Sequence, residues 1–124
     1  MLYAILCYNN EAVIGQWSKD HDDAVMARHQ QVMMGLAEKG KLGPVARLQP
    51  TKTASTVRDR AVIDGPFAET KEQLLGFYVV DCPTLEDAVA AARDLRRANP
   101  TAVYEIRPIL LYRPGAPLLP EQES

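Results

Sequence analysis

The run Asp64-Gly65-Pro66-Phe67-Ala68-Glu69-Thr70-Lys71-Glu72-Gln73-Leu74-Leu75-Gly76-Phe77-Tyr78 decides how the chain is read. A carboxylate closes one strand and Gly-Pro breaks the chain direction. A polar stretch of one or two expected helical turns follows, and a new strand opens at Gly76 and runs to Cys82. Upstream, Thr53 to Asp64 reads as a strand, a tight turn at Arg58-Asp59-Arg60 and a return strand through Ala61-Val62-Ile63. Before it lies a strand at Leu42 to Leu48, and before that a helix from Asp20 to Lys39. Acidic residues at the start of this helix suit the positive end of its dipole, and Gly40 is placed to stop it. Asn9 to Ser18 reads as a loop. Leu2 to Tyr8 is apolar on both faces, as a central strand should be.

Downstream, Thr84 caps a second helix with Asp87 three residues on. Leu85, Ala88, Val89, Ala92 and Leu95 supply its apolar stripe. Ala102 to Leu110 is the last strand. The order is therefore β-α-β-β-α-β with one strand doubled in the middle, which predicts an α+β, ferredoxin-like core with both long helices on one sheet face. No third helix is long enough to cover the other face. A second copy of the sheet would cover it, so a homodimer is expected. Residues 1–113 form the expected domain. Residues 114–124, with three prolines and two glutamates, form a Pro-rich C-terminal tail.

Composition narrows the function. With 124 residues and 47% apolar content, one domain can bury a real core. Fourteen basic residues against sixteen acidic ones give a formal charge of -2 with no basic block, which argues against direct nucleic-acid binding. Neither a leader peptide nor a membrane span is read from the chain. Cys7 and Cys82 both fall in strands and belong to no C-x-x-C pair. Buried free thiols in a reduced compartment are the plain reading, and a cytoplasmic location follows. There is no P-loop, no dinucleotide fingerprint, no G-x-S-x-G elbow and no metal-ligand cluster, so no cofactor and no metal are expected.

His29 is the residue that stands out. Val25, His29, Val32 and Leu36 are spaced four, three and four, which turns the imidazole toward the sheet with the apolar residues. A lone histidine on an apolar face is more often a satisfied core residue than a catalyst. Either way both ring nitrogens need attention. Asp64 ends a strand expected under the same helix and is the natural partner. His21 starts the helix beside Asp22 and Asp23, has no partner at i+4, and reads as exposed. Trp17 is a rim residue, a lid or plain packing. Glu69 and Glu72 read as solvated charges, with Glu72 or Lys71 lining a pocket beside Asp64 as the alternative, and Glu105 and Arg107 share one face of the last strand with Tyr104 and Ile106 on the other.

From Met1 to Pro108 the chain resembles the DGPF-type branch of the YCII-related proteins. The opening strand, the histidine-bearing helix ending at Gly40, the segment from Thr53 to Cys82 and Tyr104-Glu105-Ile106-Arg107-Pro108 carry the likeness. The resemblance implies a ferredoxin-like domain that pairs into a dimeric α/β barrel. It also implies a catalytic His-Asp dyad, matched here by His29 and Asp64. Muconolactone isomerases and small monooxygenases share that barrel, and DGPF-type domains also occur beside sigma factors. Two functions stay open. One is a cofactor-independent enzyme acting on a small organic molecule through His29 and Asp64. The other is a non-catalytic dimeric domain that binds a ligand or protein, linked to sigma-factor-dependent transcription.

Overall fold

A computed structural model describes residues 1–118 of the chain; most of the expected tail, residues 119–124, lies outside them. The elements run β1 (Leu2–Asn9), α1 (Glu11–Ile14), α2 (Lys19–Glu38), β2 (Leu42–Arg47), a 3₁₀ turn (Thr51–Thr53), β3 (Ser55–Arg58), β4 (Ala61–Asp64), β5 (Gln73–Asp81), α3 (Leu85–Ala98) and β6 (Val103–Pro108). Four strands make an antiparallel sheet in the order β2-β5-β1-β6. The two strands joined through α2 (β1 and β2) are separated by β5. Those joined through α3 (β5 and β6) are separated by β1. This is the interleaved β-α-β-β-α-β path expected from the sequence. The sheet is open, and it does not close into a barrel within one chain.

Alternation along β1 separates the two faces. Tyr3, Ile5, Cys7 and Asn9 are buried, while Leu2, Ala4, Leu6 and Tyr8 between them are half-buried. Ile5, Val80, Cys82 and Leu95 are the largest fully enclosed side chains of the core, which α2 and α3 roof. The buried stripe of α3 is Ala88, Ala91, Ala92, Leu95 and Ala98, whereas Leu85 is exposed. Small alanines let this helix approach the sheet closely. Thr84 caps it as expected, its hydroxyl accepting from the Asp87 amide at 3.2 Å. The helix α2 ends at Gly40, whose φ of +68° is left-handed.

Three expectations are corrected. Residues 66–72 form bends and irregular backbone, not a helix. There Thr70 hydroxyl bonds the Glu72 carbonyl and Gln73 Nε2 donates to the Thr70 carbonyl at 2.6 Å, so side chains capture backbone groups that a helix would use. Asn9 to Ser18 contains the short helix α1, started by the Asn10 carboxamide accepting from the Ala12 amide at 2.9 Å. Finally, β3 and β4 pair only with each other and form a separate hairpin. The strand that ends at Asp64 therefore does not run under α2.

One irregularity in β5 matters for the site. Gly76 pairs with Cys7 but Leu74 pairs with Tyr8, so Leu75 is an extra residue in a bulge. Gly76 also lies against β2, where an added Cβ would run into the Ala46 carbonyl oxygen. Only glycine fits between the two strands at that point.

Candidate functional site

Arg47, Gly76, Cys7 and Tyr104 occupy one rung across β2, β5, β1 and β6. Cys7 is buried beneath the helices, so this rung faces α2. Since Gly76 has no side chain, the rung has a gap at its centre. Val25, Met26, His29 and Met33 of α2 roof the gap, with Trp17 and Ile14 toward the α1 side. The result is a mainly apolar cleft with a free volume of about 80 Å³. That is room for several waters or a small organic group, not for a large cofactor.

His29 is 6% exposed and its Nε2 lies 3.0 Å from the Tyr104 hydroxyl. Its ring meets Tyr78 edge-on, with centroids 6.3 Å apart, and Tyr78 lies 6.4 Å from Tyr104. Among the described residues no buried side-chain nitrogen or oxygen lacks a partner, and Nδ1 of His29 makes no hydrogen bond. Nδ1 is therefore the nitrogen that solvent can touch. Burial pushes the imidazole below its ordinary range, and the positive charges of Arg47 and Arg28 push it the same way. At neutral pH the ring is uncharged. Burial also pushes the Tyr78 phenol up to about 12 and raises Tyr104 further, so both keep their protons. The Cys7 thiol is raised by burial, partly offset by its hydrogen bond with Tyr104. A thiol so protonated is a poor nucleophile.

The cleft wall is held by polar stitching. Glu11 accepts from the Thr51 amide at 3.0 Å and from the Thr51 hydroxyl at 2.9 Å, which ties the segment after β2 to α1. The Glu11 amide donates to Gln73 Oε1 at 2.9 Å, which ties α1 to β5. At the mouth, Arg47 reaches Asp22 of α2 at 3.2 Å.

The structure brings His29 into this cleft but not Asp64. Asp64 ends the hairpin strand β4 and is exposed, and no hydrogen bond or ion pair joins it to His29. The expected direct contact is absent, because Tyr104 takes the place that the carboxylate was expected to fill. Tyr104 and Tyr78 are the site residues missed in the sequence. Their signal was available: both sit at inward positions of alternating strands, and a buried phenol needs a hydrogen-bond partner. His21 lies at the exposed start of α2 and packs on Trp17, with ring centroids 4.6 Å apart. Glu105 accepts from the Tyr8 hydroxyl at 3.2 Å on the open face, away from the cleft. Among the described residues no group of three His, Cys, Asp or Glu side chains is placed to hold a metal ion, and no helix is long and apolar enough to cross a membrane.

The described residues thus form an interleaved antiparallel α+β domain with a His29–Tyr104 pair between α2 and β6. The YCII-related domain matches residues 1–113, and the chain belongs to the YCII-related family. It is similar to the uncharacterized protein R00369 of Rhizobium meliloti (strain 1021), 58% identical over 120 residues, covering 93% of this chain and 97% of that protein.

Proposed function

We propose that the protein is a cofactor-independent enzyme that moves a proton on a small organic molecule, with Nδ1 of His29 as the general base. The observation that carries this reading is a neutral imidazole anchored at Nε2, with its other nitrogen facing a cleft. In the tautomer this mechanism requires, Nε2–H donates to the Tyr104 hydroxyl and Nδ1 is left as the acceptor. The ring takes a proton from the substrate and returns it at a neighbouring atom, so no electrons leave the system. Tyr104 orients the ring. Asp64 has no place in this step within one chain.

The ferredoxin-like sheet is also proposed to pair with a second copy across its open face, giving a dimeric α/β barrel. Half-buried Leu6 and Phe77 at the centre of that face support this. A cytoplasmic location accords with two unpaired, buried thiols. The competing reading, a dimeric domain that binds a ligand or protein without chemistry, draws on one observation. The charges acting on the His29 ring, Arg47 and Arg28, both disfavour the imidazolium that a general base must become.

The test is deuterium exchange. The protein is incubated in D₂O with a panel of small carbonyl compounds and lactones, and C–H loss is followed by NMR. Catalysed exchange that falls about 10²–10⁴-fold in His29→Gln, with the fold intact, supports the enzyme. Exchange unchanged in His29→Gln, or no catalysed exchange with any compound while the cleft still binds some of them, hands the protein to the binding reading.

A further inference from the structure

We infer that the mouth of the cleft is an anion subsite built on Arg47, and that the molecule it receives is a small monocarboxylate with an apolar body. This rests on the reading of the cleft as a small-molecule site and names the chemistry of its occupant. Arg47 and Cys7 stand on either side of the side-chain gap at Gly76, two strand spacings apart, or about 10 Å between backbones. His29 hangs over the Cys7–Tyr104 end of the rung, through its bond to Tyr104. A guest bridging the two ends meets a guanidinium at one end and Nδ1 of His29 at the other. Between them it touches Val25, Met26 and Leu75.

The guanidinium has donors to spare. Its contact with Asp22 uses one terminal nitrogen, at 3.2 Å, and leaves the rest of a five-donor fork that matches a carboxylate. Asp22 and Arg47 are the charged residues of the cleft lining. Arg28, next to His29 on α2, is fixed by its Nε donating to the Ala98 carbonyl at 3.1 Å. The field at His29 is accordingly positive, with contributions from both arginines and none recorded from a carboxylate. A cationic guest is disfavoured in that field. A phosphate would ask for several donors, and the cleft lining offers one guanidinium. A carboxylate needs only the fork.

An anion seated there also favours a proton on His29. The titratable groups around the ring are Asp22 and Arg28 from its own helix, Cys7 from β1, Arg47 from β2, Tyr78 from β5 and Tyr104 from β6. The thiol and both phenols stay neutral near pH 7, so Arg47 and Arg28 set the field that the guest changes, with Asp22 paired to Arg47. The subsite thus supplies the negative charge that the imidazolium lacks in the empty cleft.

The experiment is an NMR titration of the full chain with benzoate and with benzamide, which has the same shape and no charge. Benzoate is expected to shift the His29 ring signals and raise the midpoint of the His29 pH titration. Benzamide is expected to bind at least about 10-fold more weakly, as the loss of a charge-assisted pair implies. Arg47→Gln should weaken benzoate by a similar factor and leave benzamide unchanged. Asp22→Asn, which frees the whole fork, should bind benzoate at least as well as the native protein. The inference is overturned if benzamide matches benzoate, if Arg47→Gln keeps benzoate, if Asp22→Asn loses it, or if benzoate leaves the His29 signals unmoved up to its solubility. Benzoate binding that survives in His29→Gln upholds the subsite even where no proton transfer is found, which separates it from the enzyme reading.

Discussion

The four-stranded sheet and the β3–β4 hairpin are built from similar residues and meet opposite fates. In β1, the apolar residues Ile5 and Cys7 are sealed under two helices. In the hairpin, Val57 and Val62 pair across the strands yet are 72% and 69% exposed. Alternation and β-branched side chains make a strand in both places. What differs is the presence of a helix stripe to close over the strand. An isolated two-stranded hairpin is marginally stable, so its free energy of opening should sit far below that of the sheet.

The largest test of this contrast is Leu95→Ala, which empties a fully buried site on α3 over the sheet. It should cost about 2–5 kcal/mol in a denaturant titration. A loss below about 1 kcal/mol would mean that the helix layer is not what stabilises the sheet.

Tyr104→Phe sharpens the comparison inside the core. It leaves His29 Nε2 without its partner and should destabilise by about 1–3 kcal/mol. A neutral effect would show that water replaces the phenol easily and that the ring is not held as described.

A smaller effect concerns pH. The folded-state pKa of His29 lies below its unfolded value, so the unfolded chain takes up a proton first as pH falls. The stability gained by keeping the ring neutral is present above about pH 6.5 and is lost as pH falls from there through the depressed folded value. In His29→Gln the fall in stability between neutral and mildly acidic pH should be shallower. An identical slope in both proteins would contradict a buried neutral imidazole.

The smallest effect is expected in the hairpin. Val62→Thr should change global stability by less than about 0.5 kcal/mol, because the residue is already largely in water. Hairpin amides should exchange with deuterium by local opening, and those of β1 only by global unfolding. Hairpin protection equal to that of β1 would erase the distinction and point to a partner covering it.

The same contrast explains what was legible in the sequence. Periodicity placed α2, α3, β1, β2 and β6 within a residue or two, because each has a buried or half-buried face that fixes its phase, but it began β5 three residues late, at Gly76 and not Gln73. It turned His29 inward correctly for the same reason. It misplaced the strand that ends at Asp64 because a strand pattern says nothing about which sheet a strand joins, and that is decided by long-range pairing. The partner it missed, Tyr104, lies 75 residues from His29 in the chain and meets it only once β6 pairs with β1. Helix α1 was unreadable as a repeat, since four residues hold no period and only the Asn10 cap announces it.

The extra residue at Leu75 gives β5 a change of phase partway along. On both sides of it the strand stays paired with β1, and at the Gln73 end the Gln73 side chain also holds the first amide of α1. Deleting Leu75 would let β5 pair evenly with β1, keeping Gln73 opposite Asn9, and would remove a residue that lines the cleft. A chain one residue shorter here would keep its strand pairing and lose part of its cleft wall.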